Sequence, residues 1–190
     1  MDSTLKALVL ADCEAVPRDL GSETVDLVIG CGDVPDWVLV DAAERCSCKR
    51  ILAVKGNHDA SRDFSAPIES LHLKIRHFKE VAFGGFNGAS QYKPRGNFLY
   101  SQEQAAELLH VFPEVDVMVT HNSPAGVHER GDPAHIGFIG LRQYVFRARP
   151  AFLLHGHQHK EADSLLGETR IIGVCGFRIM DLEFPPPQEK

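Results

Sequence analysis

A layered α/β fold is predicted, because strand-like and helix-like segments alternate along the chain. Eight short runs of β-branched and apolar residues recur between polar or glycine-rich breaks, and three longer segments carry apolar residues at three- and four-residue spacing. The 190 residues are 44% hydrophobic and 24% charged, a composition that supports a sizeable core and excludes disordered and fibrous classes.

The first strand is expected over residues 5–11, where an apolar run ends at Asp12, and the second over 25–29. A helix is expected over 35–46, opened by Pro35, followed by strands over 50–54 and 81–84. The next helix, 101–112, has the best-defined start, since Ser101 followed three residues later by Gln104 forms a capping-box pattern. A strand over 115–120, a helix over 136–149 and strands over 151–155, 170–174 and 177–184 complete the order. Residues 87–97 and 122–133 are rich in turn formers and read as surface loops, long enough to carry function. Phe83-Gly84-Gly85-Phe86 reads as a structural strand exit, since its glycines lack the spacing of a nucleotide-binding loop. Residues 1–184 are expected to form one domain and the proline-rich 185–190 a flexible tail.

No apolar stretch approaches the roughly 20 residues of a membrane span. The N-terminal sequence carries neither a basic leader nor a small-residue cleavage site, so a cytoplasmic protein without membrane association is expected. Five cysteines without finger-like spacing read as ordinary thiols. A formal charge of -6 disfavours long nucleic acid as a partner and leaves any phosphate-bearing substrate to be attracted locally.

The chemistry concentrates where expected strands end: Asp12-Cys13-Glu14, Gly32-Asp33, Gly56-Asn57-His58-Asp59, Thr120-His121-Asn122 and Gly156-His157-Gln158-His159. In layered α/β folds such loops converge on one crevice. Carboxylates, an amide oxygen and imidazoles together form a mixed nitrogen and oxygen donor set, suited to manganese, iron or zinc rather than calcium.

In this order the segments resemble the calcineurin-like metallophosphoesterases, whose pattern runs D-x-H, G-D, G-N-H-(D/E), a lone His and G-H-x-H. The resemblance extends from Asp12 to His159. It implies a two-sheet β-sandwich flanked by helices, in four αββα layers, and hydrolysis of phosphate esters, as a small phosphodiesterase or monoesterase. Two divalent ions are implied, manganese foremost, with iron, zinc or magnesium as alternatives. Asp12, Asp33 and His159 would hold one ion and Asp33, Asn57, His121 and His157 the other, with Asp33 and a hydroxide bridging them. His58 would protonate the leaving oxygen, with Asp36 or Asp59 orienting it. Asp36 also reads as a plain turn residue starting a helix.

Glu14 stands where the pattern has a histidine. As a ligand it would favour harder ions and add a negative charge to the cluster, and this is expected over the alternative, in which it points to solvent. The exchange also admits a second function, a protein-interaction scaffold of the Vps29 retromer-subunit type. Among the remaining histidines, His155 is expected to be packed, and His72, His77 and His110 to lie at the surface. His128, Arg130, His135 and Arg95 are placed by sequence near the cleft mouth.

Overall fold

In the computed structural model, which describes residues 3–16, 18, 20 and 23–184, the expected strands and helices all form. The tail expected at 185–190 lies outside the described residues. In chain order the elements are β1 (Ser3–Ala11), β2 (Leu27–Cys31), α1 (Asp36–Arg45), β3 (Ile51–Val54), β4 (Glu69–Ser70), β5 (Arg76–Phe78), β6 (Val81–Phe86), β7 (Ala89–Ser90) and β8 (Leu99–Tyr100). They continue with α2 (Gln102–His110), β9 (Val117–Thr120), a 3-10 turn (Pro133–His135), α3 (Ile139–Ala148), β10 (Phe152–His155), β11 (Ala162–Leu166), β12 (Thr169–Gly173) and β13 (Gly176–Phe184).

One sheet has the order β13-β1-β2-β3-β4 and the other β11-β12-β10-β9-β6-β5, while β7 and β8 form a small separate pair. The alternation of side chains along each strand explains why the apolar runs are nearly unbroken. In β1, Leu5, Ala7, Val9 and Ala11 enter the core between the sheets, and Leu8 and Leu10 face the opposite way onto α1. In the second sheet Val117, Val119 and Leu154 face inward, while Met118 and Leu153 pack under α2 and α3. Both sheets are therefore covered on both faces, which gives the four αββα layers. Each fully buried leucine or phenylalanine contributes about 1.5–3 kcal/mol, so this partition outweighs local preferences at the helix ends.

The capping box forms as read: Ser101 Oγ accepts from Gln104 N at 3.2 Å and Gln104 Oε1 accepts from Ser101 N at 2.9 Å. The helix expected over 136–149 begins three residues later, at Ile139. The backbone just before it is committed to tertiary bonds: Ile136 O accepts from Ser90 Oγ and Asn122 Nδ2, and Phe138 N donates to Ser123 O. The loop expected at the surface after His121 starts in the interior, with Asn122 and Ser123 fully buried. His72 is likewise half-buried rather than on the surface, packed between Phe86 and Tyr100. The edge strand β11 was not legible, because only alternate residues are covered and its charged Asp163 pairs with Arg170 across the hairpin.

Strands β1, β2 and β3 run parallel, as do β6, β9, β10 and β12 in the facing sheet. The chain leaves β1, β2, β3, β9 and β10 at the five motif segments, and it is this shared end of the sandwich that assembles the site.

Candidate metal centre

Asp12 and Asp33 each follow a strand in left-handed conformation, with φ of 52° and 53°, and His157 and His159 do so after β10, with φ of 62° and 47°. Such backbones cost roughly 1–3 kcal/mol apiece outside glycine and persist where the surroundings impose them. Here close packing imposes them. A Cβ on Gly156 would lie 2.8 Å from both Ala11 Cβ and Asp12 Oδ2, so only glycine lets the β10 exit approach the first carboxylate.

The structure brings one donor atom from each of Asp12, Asp33 and His121 within 4.8 Å of one another. His121 Nε2 lies 3.2 Å from Asp33 Oδ2 and 3.1 Å from Asn57 Oδ1. Its Nδ1 donates to Cys31 O at 2.9 Å, which leaves Nε2 as the atom directed at the carboxylate and the amide oxygen. His157 is held the same way: Nε2 donates to Ala134 O at 2.8 Å, leaving Nδ1 free to bind, and its ring lies 4.8 Å from that of His121. Asn57 Nδ2 reaches Tyr92 Oη at 3.5 Å, which aims Oδ1 inward. His159 is more exposed, with Nδ1 4.0 Å from Asp12 Oδ1.

The carboxylates are braced from behind. Asp12 Oδ2 accepts from His157 N and Asp33 Oδ1 from His58 N, both at 2.8 Å. Asp59 Oδ2 accepts from the backbone nitrogens of Asp33 and Gly56, so it holds the turn together. Burial opposes charge on His121, yet its hydrogen bond to Asp33 and the charges of Asp33 and Asp12 raise its pKa to about 9. Burial and the neighbouring His121 lower His157 to about 3. Burial also raises Asp12, while for Asp33 it is outweighed by His121 and His58, leaving that carboxyl below its ordinary value.

These residues fit a divalent cation. Asp12 Oδ1 is buried without a hydrogen-bond partner among the described residues, an arrangement that costs about 1–3 kcal/mol unless something positive meets it. His121 has Nδ1 pinned and Nε2 directed at Asp33 and the Asn57 amide oxygen, while His157, with Nε2 pinned, and His159 lie outside the close group of Asp12, Asp33 and His121.

The other expected residues lie outside this close group. Glu14 lines the crevice of about 260 Å³ with Asp12, Asp33, His58 and His159, but its side chain is exposed, and it lies outside the close group of Asp12, Asp33 and His121. The left-handed turn at Asp12 sends Glu14 and Ala15 along the surface. Asp36 does not orient His58: it accepts from Lys55 Nζ at 2.9 Å and from Ser65 N and Oγ at 2.9 and 2.8 Å. His58 itself is exposed at the rim, anchored through its backbone. Arg95 is exposed, and His155 is packed, its Nε2 2.9 Å from His128 Nδ1.

Three contributors were missed or only placed nearby. Tyr92 turns Asn57. His135, held by Asp132 at 2.7 Å, packs against His157 and His159 with ring centroids 5.0 and 5.6 Å away. Gln158 ties the loop after β10 to the one after β9. Nothing local marks any of them, since each acts across a large gap in sequence.

No curated protein matches the chain in sequence. Among solved structures it is similar to the phosphopantetheinyl hydrolase PptH of Mycobacterium tuberculosis, with TM-score 0.61, 13% identity and coverage of 97% of this chain and 98% of that one. A putative 5'-nucleotidase of Staphylococcus aureus superposes with TM-score 0.56 at 14% identity, over 92% of this chain and 49% of that one, so the chain spans about half its length. Vacuolar protein sorting 29 of Cryptosporidium parvum gives TM-score 0.51 at 12% identity, over 96% and 99% of the two chains. At these identities the likeness shows the fold. The family model of the calcineurin-like phosphoesterase superfamily domain matches residues 10–174, across the strand-end motifs just described, and the chain belongs to that superfamily.

Proposed function

We propose that the protein hydrolyses phosphate esters, diesters or monoesters, with two divalent cations, manganese foremost, held by Asp12, Asp33, Asn57, His121, His157 and His159. The observation that carries this reading is the convergence of Asp12, Asp33 and His121 on one point beside an unpartnered buried Asp12 Oδ1. Such cations, when bound, acidify coordinated water and neutralise charge on the phosphoryl oxygens. The protein's own residues do the rest. Asp33, grouped with Asp12 and His121, would be the ligand shared by both cations. The carbonyls of Cys31 and Ala134 fix the ring orientations of His121 and His157, and His121 would give up its Nε2 proton when a cation binds. His58, exposed at the rim with its backbone fixed to Asp33, would give a proton to the departing oxygen.

A second reading, a protein-interaction scaffold with a weakened metal site, is favoured by the exposed Glu14, which leaves the Asp12 position short of a close ligand. One experiment separates them. Metal content is counted by elemental analysis, and hydrolysis of bis-p-nitrophenyl and p-nitrophenyl phosphate is measured with added manganese for the wild type, His58→Ala and Asp33→Ala. The hydrolase reading expects both variants to fall at least about 100-fold, the lower range for loss of a general acid. A wild type no faster than the variants refutes it.

A further inference from the structure

Beside the metal crevice lies a larger groove of about 630 Å³, walled on one side by α1 and on the other by the segment after His58. Pro35, His58 and Asp59 line both spaces, so the two adjoin at the proposed acid. An in-line displacement places the departing oxygen on the side away from the attacking one. If His58 protonates that oxygen, the rest of the leaving group continues past His58 into the groove.

The groove's lining restricts what that group can be. Trp37, the chain's one tryptophan, forms part of the α1 wall and is 59% exposed, an indole face without cover among the described residues. Lys55 lies in the floor, but its charge is met by Asp36 at 2.9 Å and its Nζ sits 3.6 Å from the centre of the Phe64 ring, so it is not free for a second anion. Asp41 and Glu44 add negative charge to the same wall, and Asp41 is paired with Arg45. Among the described residues Glu44 and Arg62 have no ion-pair partner and offer an acceptor and a donor at the edges. With four carboxylates, Asp36, Asp41, Glu44 and Asp59, against two cations, of which Lys55 is already paired, the lining disfavours a second phosphate and suits a flat ring without charge that bears polar edge groups.

We propose that this groove is the leaving-group subsite and that the leaving group is a nucleoside-like planar heteroaromatic, stacked on Trp37 and read at its edges by Glu44 and Arg62. The assignment of the groove to the leaving group rests on the hydrolase reading, but ring binding can be tested without turnover. Because Trp37 is the sole tryptophan, its fluorescence reports the groove directly. Adenosine, which has no phosphate ester, is titrated against the full-length protein, with ribose as control. The expected result is saturable quenching by adenosine and none by ribose, abolished in Val40→Arg, which fills the groove. Calorimetry on Trp37→Ala is expected to show about tenfold weaker adenosine binding. Quenching that never saturates, or that persists unchanged in Val40→Arg while Trp37→Ala binds as well as wild type, overturns the proposal. Saturable binding in a protein that hydrolyses no ester would leave the ring site standing and remove the hydrolase. Turnover without quenching would do the reverse.

Discussion

Gln158→Leu should destabilise the protein and loosen its metal site together. Gln158 lies between two of the candidate ligand histidines and is 1% exposed. Its Oε1 accepts from Arg130 N at 3.1 Å, and its Nε2 faces Asn122 Oδ1 and Ser123 Oγ at 3.1 Å and His135 O at 3.0 Å. An amide NH₂ has two protons, so about three full hydrogen bonds are at stake at any moment. Leucine keeps the volume and removes them all. At about 1 kcal/mol net for each bond, with some partners left buried and unpaired, the loss is about 3–4 kcal/mol. For a domain of this size that lowers Tm by about 10 °C. Urea unfolding in the presence of chelator isolates the structural effect from metal binding, and elemental analysis then reads the metal content of the folded variant. Gln158→Glu is a control that keeps the Oε1 acceptor but turns a carboxylate oxygen toward three acceptors, and it should be at least as damaging. A loss under about 1 kcal/mol in both variants would refute the reasoning, because it would mean that the two loops are held by something else.

Other expectations are local. Gly156→Ala places a methyl group 2.8 Å from Asp12 Oδ2, and metal affinity measured by competition with a chelator should fall by about tenfold or more. Glu14→His restores an imidazole at the crevice wall and should raise metal content or turnover, whereas no change in either would show that position 14 stands apart from the site. His72 should make stability depend on acid: burial and the nearby Lys74 lower its pKa from 6.5 to about 4, and its Nδ1 accepts from Asn87 N. The unfolded chain therefore takes up this proton first, and stability should decline as pH falls from about 6.5 to about 4, then lose this contribution's slope. In His72→Phe that part of the slope should disappear from unfolding curves taken across the same window.

Much of this was determined by sequence alone, because the relevant physics is local. Strand-sized apolar runs must be buried on both faces whatever their neighbours, and Ser101 with Gln104 closes a helix start within three residues. The ordered motifs at strand ends also pointed to the grouping of Asp12, Asp33 and His121, since parallel strands deliver their carboxyl-end loops to one place. Only the tertiary structure decided what those loops do once there. It left Glu14 exposed at the crevice wall, gave Asp36 to Lys55 and Ser65 rather than to His58, brought Tyr92 to Asn57 and laid His135 against His157. It also delayed α3, because the backbone of Ile136 and Phe138 found partners in Ser90, Asn122 and Ser123. Each of these outcomes depends on loop backbones that bond across the fold, and no periodicity along the chain records such distant partners.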